Sequence, residues 1–340
     1  MKKFDMKSLL EGIKSFQKDQ WEVCKHYYRQ HNKPVPGMAV LSIDPTDASK
    51  SYMRNKERYF NNVGIPFLKV ELNHHSSVDT IKSIISGLAY NDLAFEPYNL
   101  GTEKEPIMVD PVNGGVILQL PLPKELELCE TELIQSIPHS EDNYLDVDGL
   151  CEPSVIELMD PKLVSQFTCL PCTPKGIMMI MDRYLHPEKS ISELILHSWN
   201  WDNMLNGKHV VIVGRGKLVG KPLSMMCVNA GATLTVCNSK TPINDMIKIT
   251  RSADILILAT GKIGAFDALS YCSVDKPQLV IDCGVGYNKQ GKLAGDFVPS
   301  NNFNFDITYT PVPGGVGPMT VAMLCQNFLE NIINRSEVDE

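Results

Sequence analysis

The sequence predicts an α/β fold made of two domains. Apolar runs of strand length alternate with amphipathic helical segments along most of the chain, which is typical of parallel sheets covered by helices. The 340 residues are enough for two hydrophobic cores. One apolar run, Val210 to Val213, is followed at once by Gly214, Gly216 and Gly220. A buried strand, a tight turn and the start of a helix are therefore expected in immediate succession.

The composition excludes several classes of protein. Apolar residues make up 43% of the chain and charged residues 21%, as in ordinary globular proteins. The formal net charge of -8, without a dense stripe of Lys and Arg, argues against a nucleic-acid partner. The N-terminus lacks the pattern of a secretory signal, and no apolar run is long enough to span a membrane. We therefore expect a cytoplasmic protein without a membrane partner.

The ten cysteines are scattered through apolar segments, without the spacing of a disulfide framework. Cys169 and Cys172 have C-x-x-C spacing, but a structural zinc site requires four ligands and no second such pair exists. His74 and His75 are adjacent, so their side chains should point in different directions. The sequence predicts reduced, mostly buried thiols and no bound metal.

The first domain is predicted to alternate helices and strands. Residues 7–31 form an amphipathic helix, and the next helix begins after Asp44, with Tyr52 and Lys56 on one face. The other predicted elements are strands at 38–43, 66–71 and 115–120 and helices at 78–88 and 124–137. The polar stretch 90–111 is expected to be a surface loop insertion.

Two places in the first domain carry polar side chains that could bind a ligand. Gln119 ends a buried strand before Leu120 and Pro121, at the edge where open α/β sheets bind ligands. Asp146 and Asp148 belong to the turn Asp-Val-Asp-Gly. These two acids either bind a ligand or cap the local backbone, and capping is the default expectation.

The second domain is expected to begin with the Met-rich helix 175–184, whose methionines suit a core. A loop at 186–206 precedes the glycine turn, and a helix at 223–230 follows it. The turn offers backbone N–H groups and the positive end of a helix dipole to an anion such as a pyrophosphate. Val219 occupies the place of the third glycine in the usual dinucleotide fingerprint, so a simple strand-to-helix connection is the alternative.

The remaining strands indicate which cofactor would bind. The tip of the second strand, at 231–241, carries Ser239 and has no acid to hold a ribose 2′-hydroxyl, while Arg215 lies in the glycine turn. These residues favour a 2′-phosphate and hence NADP over NAD.

Strands at 253–259 and 278–282 end in small residues that are typical of cofactor-facing loops. A rigid Pro/Gly turn at 309–320 then opens a helix at 321–333.

A set of motifs resembles the methylenetetrahydrofolate dehydrogenase/cyclohydrolase family and follows the family's order along nearly the whole chain. The motifs are Ser-Tyr-Met-Arg-Asn-Lys56, Gln-Leu-Pro-Leu-Pro123, Asp-Val-Asp-Gly149, Pro-Cys-Thr-Pro174, Gly-Arg-Gly-Lys-Leu-Val-Gly220 and Thr-Pro-Val-Pro-Gly-Gly-Val-Gly-Pro-Met-Thr320.

The resemblance implies two α/β domains around a cleft. Residues 1–174 and 318–340 would bind folate, and residues 175–317 would form a Rossmann-like NADP-binding domain. It also implies a homodimer with two activities in one-carbon metabolism and purine biosynthesis. These activities are oxidation of 5,10-methylene- to 5,10-methenyltetrahydrofolate and hydrolysis of the product to 10-formyltetrahydrofolate.

The resemblance also assigns site residues. Lys56 would be the catalytic lysine, Gln119 its amide partner, Tyr52 the aromatic that orients the folate ring and Asp148 the carboxylate on the pterin edge. A lysine acts as a general base only in its neutral form, which burial beside an uncharged amide favours. Further substrate contacts are expected from Leu120, Pro121, Pro313, Gly314 and Gly315. Cofactor contacts are expected from Thr173, Gly214, Arg215, Gly216, Val219, Gly220, Ser239, Thr260, Gly261, Gly284, Val285 and Thr320.

Three positions depart from the family pattern. Leu145 replaces a common Lys, Gly216 a usual Ser, and Asn238 a common His. The last two concern the cofactor rather than the folate. The alternatives are a monofunctional methylenetetrahydrofolate dehydrogenase, a dehydrogenase of another small substrate such as a shikimate-type enzyme, and a non-catalytic folate- or nucleotide-binding regulator.

Overall fold

A computed structural model describes residues 1–90, 98–99, 108–140, 143–160, 162, 169–196, 198, 201–300 and 306–338. The chain divides into two compact units, named here by their main sheets. The four-stranded unit comprises Lys14–Ile156, Gln166–Leu170 and Leu324–Glu340. The six-stranded unit comprises Met1–Ile13, Glu157–Ser165 and Pro171–Met323. The six-stranded unit includes residues 1–13, 157–165, 171–174 and 318–323, which were expected in the folate-binding domain.

Both units contain strands and helices. The strands are β1 Lys2–Lys3, β2 Val35–Ile43, β3 Phe67–Leu72, β4 Tyr98–Asn99, β5 Met108–Leu118, β6 His139–Ser140, β7 Asn143–Tyr144, β8 His209–Val213, β9 Thr233–Cys237, β10 Ile255–Leu258, β11 Phe266–Asp267, β12 Gln278–Asp282, β13 Gly286–Tyr287, β14 Leu293–Ala294, β15 Phe297–Val298 and β16 Ile307–Tyr309. The helices are α1 Met6–Gln30, α2 Asp47–Val63, α3 Val78–Tyr90, α4 Glu130–Gln135, α5 Glu152–Glu157, α6 Cys172–Leu185, α7 Ile191–Leu196, α8 Gly220–Asn229, α9 Ile243–Ser252, α10 Ala268–Tyr271 and α11 Val316–Val338, with a 3₁₀ helix at Lys124–Cys129.

The six-stranded sheet is parallel and has the order β1-β16-β12-β10-β8-β9. From β8 the chain first adds β9 on one side and then crosses to β10 on the other. The point at which the direction of winding reverses therefore lies between β8 and β10, where doubly wound sheets bind dinucleotides. This topology confirms the prediction of an α/β protein with a Rossmann-like domain.

The four-stranded sheet has the order β3-β2-β5-β4. Its first three strands are parallel, and β4 is antiparallel to β5. The central strand β2 is buried along its whole length, as its continuous apolar sequence predicts. One hydrophobic core of this unit joins β2 and β5 to α3 and α4 through Leu41, Ile85, Val116 and Leu133.

The two predicted loops are only partly loops. In the stretch 90–111, residues 98–99 form β4 and residues 108–111 begin β5, while 91–97, 100 and 101–107 lie outside the described residues. The pairing of Tyr98 with Val109 and of Asn99 with Met108 is a backbone property that polar composition does not reveal. In the stretch 186–206, the helix α7 buries Leu194 and Ile195.

Other predicted boundaries require smaller corrections. The strand predicted at 115–120 ends at Leu118, so Gln119 and Leu120 follow it. The helix predicted at 124–137 is a 3₁₀ helix followed by α4. The final helix begins at Val316, five residues before the predicted Val321, because glycines and Pro318 are tolerated in a first helical turn.

All ten cysteines lie in the described part of the chain and are free, and most are buried. Burial raises the pKa of the thiols of Cys24 and Cys227 to about 12, which makes them unreactive. Within the described residues, no cluster of three His, Cys, Asp or Glu side chains has the arrangement of a metal site. No described helix is long and apolar enough to cross a membrane.

Candidate active site

Helix α2 carries the predicted lysine on its buried face. The helix begins after Thr46, whose Oγ1 accepts a hydrogen bond from the Ser49 amide at 3.2 Å, and it ends at Gly64, whose φ of 100° suits glycine. The buried residues recur at helical spacing and are Ser49, Met53, Lys56, Phe60 and Val63. The pattern of α2 therefore turns Lys56 inward, although a lysine on a helix is usually solvated.

The structure brings together Tyr52, Lys56 and Gln119. The Nζ of Lys56 donates a hydrogen bond to Oε1 of Gln119 at 3.1 Å and lies 5.0 Å from the centre of the Tyr52 ring. The side chains of Lys56 and Gln119 are buried, whereas Tyr52 is partly exposed. The site combines an amine, a neutral amide and an aromatic face just beyond the carboxyl end of β5. These groups have the composition of a general acid–base site.

The orientation of Gln119 follows from its backbone surroundings. Its N–H donates to the carbonyl of Leu41 at 2.8 Å, which extends the pairing of β5 with β2 by one residue. Its Nε2 donates to the carbonyl of Leu120 at 2.6 Å. The amide NH₂ is thereby directed to the backbone, which leaves the oxygen for Lys56. Leu120 is partly exposed and Pro121 is exposed beside this pair.

The two acids of the Asp-Val-Asp-Gly turn have different surroundings. Asp146 is buried, and its carboxylate accepts hydrogen bonds from the amides of Gly149 at 3.1 Å and Cys151 at 2.7 Å. Burial raises the pKa of Asp146, and the backbone hydrogen bond from Cys151 opposes the shift. Asp148 is partly exposed. Asp146 thus caps the turn, and Asp148 keeps a surface on which a ligand can bind.

In the six-stranded unit, two glycines of the turn after β8 are required by close packing. A Cβ on Gly214, whose φ is 130°, would lie 2.2 Å from the carbonyl oxygen of Ala259. A Cβ on Gly220 would lie 2.4 Å from the carbonyl oxygen of Gly214. Gly216 has open space around it, so the absence of the usual Ser there is not imposed by packing. Val219 precedes the first residue of α8 as its N-cap.

The tip of β9 presents the polar groups that the sequence analysis singled out. Arg215 and Ser239 are both exposed. Asn238 is partly exposed, and its Oδ1 accepts a hydrogen bond from the Lys240 amide at 2.9 Å. Asn238 therefore stabilises the local turn, which is a common role of Asn and one that does not require the charge of a His.

The loops after β10 and β12 are held by two aspartates that the sequence analysis did not identify. The N–H and Oγ1 of Thr260 donate to Oδ2 of Asp296 at 2.8 and 2.7 Å, and the N–H of Gly261 donates to the same oxygen at 3.1 Å. The N–H of Gly284 donates to Oδ1 of Asp282 at 2.9 Å. No local motif marks Asp296, because Thr260 and Gly261 are distant from it in sequence.

The remaining predicted residues also lie in the six-stranded unit. Oγ1 of Thr173 and Oγ1 of Thr320 are 3.0 Å apart, and Thr320 also donates to the carbonyl of Val316. Gly314 has a φ of 99°, and a Cβ on Gly315 would lie 2.4 Å from the carbonyl oxygen of Pro311. Pro313 and Val285 are exposed. Pro313, Gly314 and Gly315 belong to the turn that is expected to contact the substrate. Thr173, Val285 and Thr320 are expected to contact the cofactor.

Comparison with known proteins places both units in one family. The family model "Tetrahydrofolate dehydrogenase/cyclohydrolase, NAD(P)-binding domain" matches residues 171–336. A protein of Bacillus cereus named bifunctional protein FolD is 35% identical over 302 residues, which cover 87% of this chain and 86% of that protein.

Two solved structures have the same fold over nearly their whole length. The bifunctional FolD methylenetetrahydrofolate dehydrogenase/cyclohydrolase of Campylobacter jejuni is 29% identical, with a TM-score of 0.73 and coverage of 97% of this chain and 98% of that one. The Trypanosoma brucei enzyme, solved with NADP and an inhibitor, is 24% identical, with a TM-score of 0.72 and coverage of 98% and 97%. The identity to the Bacillus cereus protein over most of both chains shows that this chain belongs to the tetrahydrofolate dehydrogenase/cyclohydrolase family.

Proposed function

We propose that the protein oxidises 5,10-methylenetetrahydrofolate to 5,10-methenyltetrahydrofolate with NADP⁺ and hydrolyses the product to 10-formyltetrahydrofolate. The observation that carries the proposal is the buried hydrogen bond between Lys56 and Gln119 beside the Tyr52 ring. These are the three residues that the family resemblance assigned to the folate chemistry. A protein that only bound nucleotides would not need a buried amine at the edge of its other sheet.

The residues of the six-stranded unit fit NADP. Gly214 and Gly220 keep the turn after β8 free of side chains, so its backbone can approach a pyrophosphate as closely as the motif requires. Arg215 and Ser239 are exposed and offer charged and neutral donors to a 2′-phosphate. NADP⁺, when bound, accepts the hydride that leaves the folate methylene carbon. The protein's part in this step is alignment, because no side-chain acid is needed.

Hydrolysis requires a proton transfer, and the burial of Lys56 beside Gln119 supports a role for this lysine in it. Water must add to the methenyl carbon and lose a proton, and the bond from that carbon to N5 must then break as N5 gains a proton. A neutral amine within reach can accept the first proton and return one to N5. Gln119 accepts a hydrogen bond from Lys56 without adding a negative charge that would stabilise the ammonium form. Tyr52 offers a rigid aromatic face on which the folate ring can stack at little entropic cost.

Replacement of Asp148 with Ala is expected to weaken folate binding by about tenfold to a hundredfold, the value of a hydrogen bond to a charged group. Cofactor affinity should change little. The control is Glu152→Ala, which removes a nearby exposed acid. Calorimetric titration with a folate analogue and with NADP⁺ measures both effects, and undiminished folate affinity would remove Asp148 from the site.

One assay tests the proposed function as a whole. Purified protein is mixed with methylenetetrahydrofolate and NADP⁺ or NAD⁺, and both the formation and the decay of methenyltetrahydrofolate are followed. Formation and enzyme-dependent decay together support the bifunctional enzyme. Formation without accelerated decay indicates a monofunctional dehydrogenase, and neither step indicates a binding protein.

We also propose a cytoplasmic homodimer that supplies 10-formyltetrahydrofolate to purine biosynthesis. The support is the family membership and the composition of the chain. Light scattering of the purified protein at micromolar concentration tests the oligomeric state, and a monomer under these conditions would contradict it.

A further inference from the structure

Two buried aspartates connect the loops that follow β10 and β12. Asp296 is fully buried and Asp282 nearly so. Asp296 accepts three hydrogen bonds from Thr260 and Gly261 on its Oδ2. Asp282 accepts bonds on its Oδ1 from the amides of Gly284 at 2.9 Å and Asp296 at 3.0 Å. The loop after β10 is thereby tied to Asp296, which is tied to Asp282 and the loop after β12.

Two glycines leave the space that these carboxylates occupy. A Cβ on Gly284 would lie 2.3 Å from Oδ1 of Asp296, and a Cβ on Gly295 would lie 2.0 Å from Oδ2 of Asp282. Both distances are far shorter than any van der Waals contact. The glycines and the aspartates therefore form one packed arrangement, in which each carboxylate fills the volume of a missing side chain.

Both members of the pair are acidic. In the part of the chain that the structure describes, neither carboxylate is hydrogen-bonded or ion-paired to a basic side chain, and Oδ1 of Asp296 is buried without a hydrogen-bond partner. Burial raises the pKa of Asp282, and the charge of Asp296 adds to the shift, while backbone hydrogen bonds oppose it. Burial of carboxylates without a basic partner lowers the free energy of unfolding, and groups of this kind are frequent at functional sites.

The position of the pair in the sheet indicates what it serves. A dinucleotide lies across the point where the winding reverses, with one nucleotide on each side. Arg215 and Ser239 are on the side of β8 and β9, which assigns the adenosine 2′-phosphate to that half. The nicotinamide half must then meet the loops after β10 and β12, which Asp282 and Asp296 hold.

We propose that Asp296 is a positioning residue that fixes the two loops around the nicotinamide, and that its buried negative charge favours the oxidised cofactor over the reduced one. The nicotinamide ring is cationic in NADP⁺ and neutral in NADPH, so a nearby anion stabilises only the first. This inference rests on the proposed function, because it assumes that the six-stranded unit binds NADP.

The test is Asp296→Asn, which keeps the size and one acceptor oxygen but removes the charge. Calorimetric titrations should show NADP⁺ binding weakened about tenfold and NADPH binding weakened less than about threefold. Hydrolysis of methenyltetrahydrofolate without cofactor should stay within about twofold of the unmodified rate, because that step does not use these loops. The control is Asp267→Asn, in which a partly exposed aspartate that caps α10 in the same unit loses its charge.

Equal losses for NADP⁺ and NADPH, no loss for either, or a parallel loss of hydrolysis would overturn the role given to Asp296. An unmodified protein that binds no NADP would instead refute the proposed function. If Asp296→Asn does not fold, Asp282→Asn tests the same arrangement, because Oδ1 of Asp282 accepts a hydrogen bond from the Asp296 amide and Asp282 is the second acid of the pair. Asp282→Asn should then weaken NADP⁺ binding more than NADPH binding, and equal losses for the two forms would overturn the proposal.

Discussion

Replacement of Lys56 with Met is expected to reduce hydrolysis of methenyltetrahydrofolate by about 10²–10⁴-fold, the usual contribution of a positioned acid–base group. The dehydrogenase activity should survive at a reduced level, because hydride transfer needs alignment rather than a side-chain proton. Methionine is close to lysine in length and suits a buried site, so the fold should tolerate it. The decay of methenyltetrahydrofolate and the reduction of NADP⁺ are followed in separate spectrophotometric assays.

A matched control lies on the same helix. Lys50 is exposed, so Lys50→Met removes one charge from α2 without touching the site. Both activities of this variant should match those of the unmodified protein. If Lys56→Met lowered the two activities by the same factor, Lys56 would be a residue that positions the folate and not the group that moves the proton.

Replacement of Arg215 with Ala is expected to weaken NADP⁺ binding by about tenfold to a hundredfold, the value of a charge-assisted hydrogen bond to a phosphate oxygen. NAD⁺ binding should change by less than about threefold, since NAD⁺ lacks the 2′-phosphate. The unmodified protein should prefer NADP⁺, because the tip of β9 has no acid and Asn238 uses its side-chain oxygen within the turn. Initial rates with each cofactor give the ratio of kcat/KM values that checks this preference.

A control variant shows whether the loss of NADP⁺ affinity is specific to Arg215 or follows the removal of any positive charge. Lys289 is exposed in the same unit, so Lys289→Ala removes one positive charge from the loop between β13 and β14. That variant should keep the preference for NADP⁺. Similar kcat/KM values for the two cofactors in the unmodified protein, or equal losses for both in Arg215→Ala, would disprove that Arg215 binds the 2′-phosphate.

Much of the fold could be predicted because it follows from local patterns. Continuous apolar runs indicated β2, β8, β10 and β12, and helical periodicity placed Tyr52 and Lys56 on one face of α2.

The helix α7 could also have been predicted, because Ser190 and Glu193 form a capping box at its start. Ser190 Oγ accepts a hydrogen bond from the Glu193 amide, and Glu193 Oε2 accepts one from the Ser190 amide. The prediction of a loop there was wrong because the polar flanks outweighed this short pattern.

The sequence by itself determined the α/β class and the glycine turn after β8, because each depends on neighbours within a few positions of the chain, whereas the residues of the folate chemistry were assigned through the family resemblance. Only the tertiary structure decided that Lys56 contacts Gln119, that Asp146 caps a turn while Asp148 stays accessible, and that Asp296 holds the loop after β10. These contacts join residues that are distant in sequence or distinguish neighbours of one type. Burial and hydrogen-bond partners assign their roles, and both exist only once the strands and helices have packed.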